Sequence, residues 1–328
     1  MTDRIRIGIV GYGNLGRGVE TALALSPDLE LIGVFSRRDP LSVETARADT
    51  PVYAMAQLDE FVDRVDVLIL CGGSKSDLPE QTPALAAKFS VVDSFDTHAK
   101  VPEHFAAVDE AAQASGNVAI ISTGWDPGLF SLNRLFGEAI LPQGETYTFW
   151  GRGLSQGHSD ALRRIPGVAG AVQYTLPSES AIERVRAGEN PELSTREKHD
   201  RQCFVVLEAG ADPDAIREAI VTMPDYFEPY DTTVEFITAE DLARDHSGMP
   251  HGGFVIRSGE SSPGTTQTIE YRLALDSNPE FTSSVLVAYA RAAGKLARVG
   301  SKGAFTPFDI APGLLSPKTP EQLRKELL

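Results

Sequence analysis

Cysteine is scarce in this chain, with two residues in 328, Cys71 and Cys203. Two thiols so far apart make no disulfide framework and lack the close ligand spacing of a structural zinc site, so reduced cysteines in a cytoplasmic protein are expected. Positive charge is also in deficit. Thirty Lys and Arg stand against forty-six Asp and Glu, giving a formal net charge of −16. With no basic cluster, this balance argues against a nucleic-acid footprint and an anionic membrane surface. It does not exclude an anionic ligand, because local charge can oppose the total. No run reaches the roughly eighteen uncharged apolar residues of a membrane span. The N-terminal MTDRIRIGIVGYG lacks the basic, apolar and cleavage regions of a signal peptide. The six histidines form no H-E-x-x-H or other close pattern, so no metal is expected. Internal repeats and low-complexity tracts are absent too.

What is present is an ordinary globular composition, 42% hydrophobic and 23% charged, at a length suited to two domains. The first 122 residues alternate β-rich runs (4–10, 31–35, 66–70, 90–92 and 118–122) with helical segments (14–25, 77–88 and 103–115). Near-continuous apolar strands separated by helices indicate a parallel sheet covered on both faces. After Trp125 the rhythm changes. A helix is expected over 128–140, starting from Asp126-Pro127. Longer, alternating strands follow at 145–150, 171–176, 201–207, 233–238, 254–258 and 268–275, interrupted by helices near 179–187 and 212–222. A long helix spans 281–299 and a short charged one ends the chain. The expected fold is therefore α/β: a Rossmann-type doubly wound parallel sheet plus a second α+β domain on a mixed sheet. The expected division is a dinucleotide-binding domain over 1–125, a substrate-binding and dimerisation domain over 126–276, and a C-terminal helical segment over 277–328 that could return to the first domain.

Gly11-Tyr12-Gly13-Asn14-Leu15-Gly16 fits G-x-G-x-x-G between a strand and a helix at the start of a βαβ unit. Gly11 suits a tight turn, Gly13 lets the backbone approach a pyrophosphate, and Gly16 lets helix and strand pack closely. An NAD enzyme places Asp or Glu at the end of the second strand to hold the ribose 2′-hydroxyl. Here that position reads Ser36-Arg37-Arg38. A hydroxyl and two guanidiniums favour a 2′-phosphate, which a carboxylate would repel, so the cofactor inferred is NADP. Cys71-Gly72-Gly73-Ser74 ends the next parallel strand, where ligands bind, although a plain glycine turn explains it equally well.

Asp93-Ser94-Phe95-Asp96 follows the fourth strand, and Thr123-Gly124-Trp125-Asp126-Pro127 follows the fifth. Both should face the nicotinamide, where Asp96 and Asp126 would suit a cationic substrate group such as an ammonium. Asp126 before a proline is equally well placed as a helix cap, and Asn278-Pro279 could merely start a helix. His158-Ser159-Asp160 holds triad residue types, but adjacent residues cannot converge as a triad requires. Arg201 could hold a carboxylate; a lone Arg, like the lone His251, is more often a surface or structural residue.

The strings IVGYGNLGRGVE, FSRR, STGWDPGLFSLNR, FWGRGLSQGHSDALRRIPGV, QYTLPSE, RQCFVV, TMPDYF and GMPHGG together resemble the meso-diaminopimelate D-dehydrogenase family, and the similarity spans essentially the whole chain. STGWDPG and LSQGHSDALRRIPG are specific to that family; the glycine loop is not. The resemblance implies a cytoplasmic homodimer in lysine biosynthesis. It would convert the D-centre of meso-2,6-diaminopimelate, with water and NADP+, to L-2-amino-6-oxopimelate, ammonia and NADPH through an imine. It implies cofactor contacts at Tyr12 to Leu15, beside the fingerprint's Gly11 and Gly16, and at Ser36 to Arg38, Cys71 to Ser74, Ser94 to Asp96 and Thr123 to Pro127. Gly72 stands where some relatives carry Met, which leaves a backbone contact intact. Substrate contacts are implied at Asp96, Asp126, Trp150, Gln156, Gly157, Thr175, Arg201, His251 and Asn278, with Arg201, Thr175 and His251 on the distal carboxylate. Asp96 and Asp126 would orient the reacting ammonium, and Asp126 would move the proton. Two rivals remain at this stage. One is another two-domain NADP dehydrogenase, disfavoured because the sugar enzymes' Glu-Lys-Pro is replaced by Asp-Ser-Phe-Asp-Thr-His. The other is a non-enzymatic NADP(H) sensor, which needs no polar pocket in its second domain.

Overall fold

A computed structural model describes residues 4–328; the first three residues of the N-terminal run considered for a leader lie outside them. The chain forms two compact units. One comprises the residues through Leu132 together with Pro279–Leu328, and the other comprises Asn133–Asn278.

The first unit opens with β1 (Ile5–Val10), α1 (Asn14–Ala24), β2 (Leu29–Ser36), β3 (Val52–Ala54), β4 (Val67–Leu70), α2 (Leu78–Ala86), β5 (Ser90–Asp93), α3 (Val101–Ser115) and β6 (Val118–Ile120). Helix α4 (Leu129–Ile140) leads into the second unit. There the order is β7 (Gln143–Trp150), β8 (Gly153–Leu154), α5 (Gln156–Arg163), β9 (Val168–Pro177), α6 (Glu179–Arg186), α7 (Thr195–Lys198), β10 (His199–Leu207), α8 (Pro213–Val221), β11 (Asp231–Phe236), α9 (Ala239–Asp245), β12 (His251–Ser262) and β13 (Thr265–Leu275). The chain returns to the first unit through α10 (Asn278–Arg298), β14 (Gly303–Phe305), α11 (Pro312–Leu315) and α12 (Pro320–Leu327).

The first unit holds a seven-stranded sheet in the order β14-β6-β5-β4-β1-β2-β3, parallel throughout. This is the doubly wound order 3-2-1-4-5-6 with β14 added at one edge. The two-residue period of a strand assigns its side chains to two cores. On β4, Val67 and Ile69 join the cluster that includes Val19 and Leu23 of α1, while Leu68 and Leu70 join Leu78, Ala86, Val108 and Ala112 of α2 and α3. Helix α10 completes the first cluster with Leu286, Val287, Tyr289, Ala290 and Ala293. Its close approach depends on small residues: a Cβ on Gly294 would lie 2.6 Å from Ile5 Cγ2, and one on Gly18 of α1 would lie 2.5 Å from Ser283 Oγ. The Arg291 guanidinium also pairs with Asp28 at 2.6 Å.

In the second unit the strands divide between two sheets rather than sharing one. β11-β10-β9-β8 is mixed and β13-β12-β7 is antiparallel. The switch comes after Trp150, at Gly151. Its φ of +118° is strained for a side chain, and a Cβ there would lie 2.2 Å from the Thr175 carbonyl. The glycine-rich segment after Gly151 contains helix α5, capped by Ser155 Oγ on the His158 N–H.

Two helices start a few residues away from the bounds expected for them. The Asp126–Pro127 peptide is cis, and α4 begins at Leu129, which places Asp126 outside the helix. The long C-terminal helix starts at Asn278, ahead of residue 281 and at the Asn278-Pro279 pair considered as a helix start. Short β3, β8 and β14 carried no readable periodicity, because two or three residues cannot display one.

Replacing Gly294 with Ala gains helix propensity of about 1 kcal/mol but forces the new methyl into Ile5. Overpacking of about 1–3 kcal/mol should win. The expected outcome is a lower urea midpoint at unchanged m-value; a raised midpoint would show that Ile5 yields freely.

Candidate functional site

The three fingerprint glycines have separate structural reasons. Gly11 has φ +88°, and a Cβ there would sit 3.3 Å from the Cys71 carbonyl. A Cβ on Gly16 would come to 2.4 Å from the Gly11 carbonyl, so α1 can rest on the loop only without it. A Cβ on Gly13 would meet nothing within 4 Å. Gly13 is also the residue before α1, whose first turn holds no acidic side chain and whose cap position makes no side-chain bond. An N-terminus of this kind, with open space before it, fits a pyrophosphate. Asn14 and Leu15 open the helix itself.

At the end of β2, Ser36 is buried and its Oγ accepts the Arg38 N–H at 3.0 Å, so the hydroxyl shapes the turn. The Arg38 guanidinium donates to the Tyr12 carbonyl, tying this turn to the glycine loop. Arg37 is largely exposed and pairs with Asp77 at 2.9 Å. The N–H of Gly73, together with Arg37, holds the Asp77 carboxyl below its ordinary range against a partial burial. An exposed ion pair contributes little, so the guanidinium can be redirected to a phosphate at small cost. Ser74 belongs to the same loop and accepts the Asp96 N–H at 2.9 Å. Burial pushes the Cys71 thiol far up, which makes it a poor nucleophile.

Two roles in this unit were not legible in the sequence. Tyr12 is not simply a ligand-facing ring. Its hydroxyl donates to Glu20, whose carboxylate also accepts from Thr50 Oγ1 and from the N–H groups of Ala46 and Arg47. Burial raises the Glu20 carboxyl, but these donors outweigh it and hold the group below its usual value. Burial and the Glu20 bond push the Tyr12 phenol up to about 12. A glutamate in the middle of a helix carried no signal of this role. Asp93 likewise lies buried beneath the loops that bear Ser94, Phe95 and Asp96 on one side and Thr123, Gly124, Trp125, Asp126 and Pro127 on the other. Asp96 itself is exposed and Asp126 half-buried. Trp125 packs edge-on against Phe130 at 5.3 Å, and the Gly124 carbonyl accepts the Leu129 N–H at 3.0 Å, which closes the second loop.

The second unit brings most of its expected residues into linked contacts. Thr175 and Arg201 are cross-strand partners, and the buried Arg201 donates to Thr175 Oγ1. The Arg201 guanidinium stacks 3.7 Å from the Tyr230 ring centroid, a partner outside the expected set. Its Nε is buried and meets no acceptor among the described residues. Burial lowers the Arg201 pKa, but arginine stays charged. Thr175 also pairs with Gly153, and a Cβ on Gly153 would lie 2.4 Å from the His251 ring, so that ring lies flat on the glycine. Gln156 reaches Met249 Sδ at 3.2 Å, and the Met249 carbonyl accepts the Asn278 N–H at 2.9 Å. Gly157, like Gly13, opens onto free space. The Trp150 N–H donates to His199 Nε2 at 2.8 Å, and the two rings stack at 5.3 Å. His199 and His158 were not singled out as ligands. Burial first, and then Arg201, lowers both to about 4. Among the described residues no cluster of His, Cys, Asp and Glu could hold a metal ion, and no helix is long and apolar enough to cross a membrane.

Residues 124–277 match the family model described as the diaminopimelic acid dehydrogenase C-terminal domain. The chain is 64% identical over 326 residues to the meso-diaminopimelate D-dehydrogenase of Ureibacillus thermosphaericus, covering 99% of this chain and 100% of that one. Its fold is similar to that of C. glutamicum DAP dehydrogenase in complex with DAP, with TM-score 0.91, 51% identity and full coverage of both chains. It is also similar to an engineered D-amino acid dehydrogenase bound to NADP+, with TM-score 0.85, 49% identity, and coverage of 99% of this chain and 100% of that one.

The two low histidines have a consequence for stability. Both are neutral in the fold at pH values where an unfolded His, with a pKa near 6.5, takes up a proton. The unfolded state therefore binds more protons between about pH 6.5 and 4, and stability falls as pH drops through that window, by at most about 1.4 kcal/mol per unit for each group. Urea titrations of His158→Gln and His199→Gln should each give a shallower dependence than wild type across this window. Parallel curves would refute the assignment.

Proposed function

This chain belongs to the meso-diaminopimelate D-dehydrogenase family, and from that premise we propose that it catalyses the reversible NADP-dependent oxidative deamination of the D-centre of meso-2,6-diaminopimelate. The products are L-2-amino-6-oxopimelate, ammonia and NADPH, and the reverse reaction serves lysine biosynthesis. The observation that carries the substrate reading is the buried Arg201 with its Nε unmatched. An unmet donor on a buried cation is costly, and a substrate carboxylate satisfies it with a charge-assisted bond.

The residues fit the cofactor. The open N-terminus of α1 beyond Gly13 suits its pyrophosphate, and Arg37 and Arg38 suit its 2′-phosphate. When bound, NADP+ supplies the hydride acceptor. Arg201, oriented by Thr175 and Tyr230, holds the distal carboxylate, with His251 beside it. Trp150, Gln156, Gly157 and Asn278 complete the substrate contacts. Asp96 and Asp126 bind the reacting ammonium and hold its Cα–H in line, and Asp126 takes up the proton as the C–N bond gains double-bond character. Water then adds to the imine carbon and ammonia leaves. The protein acts as a homodimer on a small molecule, with neither nucleic acid nor membrane as partner, a reading supported by the family resemblance and the charge of −16.

Purified protein with meso-diaminopimelate and NADP+ should generate NADPH absorbance. Binding of NADPH without turnover of any amino acid would favour a sensor, and turnover of other substrates alone would favour another dehydrogenase. In the Arg37→Ala/Arg38→Ala variant, the preference for NADP+ over NAD+ should fall roughly 10- to 100-fold, as lost charge-assisted bonds imply; an unchanged ratio refutes their role. Asp126→Asn should lower kcat by about 10²- to 10⁴-fold. Turnover near wild type across the pH range would exclude a proton relay there.

A further inference from the structure

Asp93 is the last residue of β5 and is fully buried. A carboxylate withdrawn from water to that degree persists only with its lone pairs filled. Oδ1 accepts the N–H groups of Phe95 at 3.0 Å and Ser122 at 2.9 Å. Oδ2 accepts the Thr82 hydroxyl at 2.8 Å and the His104 Nε2–H at 2.8 Å, with the ring nitrogen as donor because an ionised carboxylate can only accept. The four donors fall into two kinds. Thr82 and His104 are fixed on α2 and α3. Phe95 and Ser122 open the loops that carry Asp96 and Asp126.

Each loop is held a second time, one by Asp93 itself and the other by its partner His104. The Asp93 main-chain carbonyl accepts the Thr123 N–H at 3.0 Å and Thr123 Oγ1 at 2.8 Å. On the other loop, the Phe95 ring stacks on the His104 imidazole at 4.1 Å. We propose that Asp93 is a positioning residue for the reaction: its carboxylate ties the two loops to one pair of helices and so sets the spacing between Asp96 and Asp126. The inference rests on the roles of Asp96 and Asp126 proposed above.

Asp93→Asn keeps the shape but offers one acceptor where four donors converge. In the full-length enzyme it should lower kcat on meso-diaminopimelate roughly 10- to 100-fold, the penalty of displacing a reacting group by about an ångström. Amide hydrogen exchange should rise at 94–96 and 122–126 and stay unchanged in the second unit. In the Asp126→Asn background the Asp93→Asn loss should shrink, because residues acting as one unit are not additive. Thr82→Val, nearly isosteric and outside both loops, should show a smaller loss of the same kind, and it carries the test should Asp93→Asn not fold. Unaltered loop exchange, kcat within about twofold of wild type, or fully additive losses in the double variant would each overturn the proposal; the bound is well inside the misplacement penalty. A wild type that binds NADP+ but turns over no meso-diaminopimelate would overturn the functional reading itself, and this inference with it.

Discussion

The first unit depends on one packing constraint: a fully parallel sheet must be covered on both faces, and the chain that builds its first six strands covers only one of them well. Helices α2 and α3 seal one side. The other has α1, and is closed by α10, which arrives from the far end of the sequence with Leu286, Val287, Tyr289, Ala290 and Ala293. Gly18 and Gly294 let α10 press onto α1 and β1 at distances that any side chain would forbid. Burial of these side chains is worth about 1.5–3 kcal/mol each for the larger ones, which makes α10 as much a part of the fold as β1. β14 follows the helix and extends the same sheet beside β6.

The loops at the carboxyl ends of the strands inherit their shape from this frame. The glycine loop is pinned from above by Arg38 and from below by the Tyr12–Glu20 pair. The loops after β5 and β6 are pinned by Asp93. Catalysis by orientation needs such rigidity, since near-attack geometry is lost within about an ångström. The cofactor side therefore rests on buried acidic residues in a chain that is acidic overall.

Much of this was legible in the sequence, and the unread parts have identifiable causes. The doubly wound class followed from continuous apolar runs and the glycine fingerprint, because strand burial on two faces and close backbone approach both leave residue-type signals. Thr175 and Arg201 were within reach through family resemblance, and the fold sets them side by side. Tyr230 and His199 were not, because a stacked ring or a backbone acceptor can be almost any aromatic or imidazole at any distance in sequence. Asp126 illustrates the limit of local rules. Asp-Pro reads as a helix start, yet the tight loop closed by the Gly124 carbonyl delays the helix to Leu129 and leaves the carboxylate outside it. The division of the second unit into two sheets turned on the backbone at Gly151, which periodicity cannot register.

The detour between β6 and α10 also has a consequence for biosynthesis. Roughly 150 residues separate the last inner strand from the helix that covers it. At about 5–20 residues per second, a ribosome takes on the order of 8–30 s to supply that helix. Throughout this interval the nascent sheet has one apolar face covered by α1 alone. The enzyme's vulnerable period is thus set by gene order, and chaperone demand should track the speed of translation through the inserted unit rather than the stability of the finished protein.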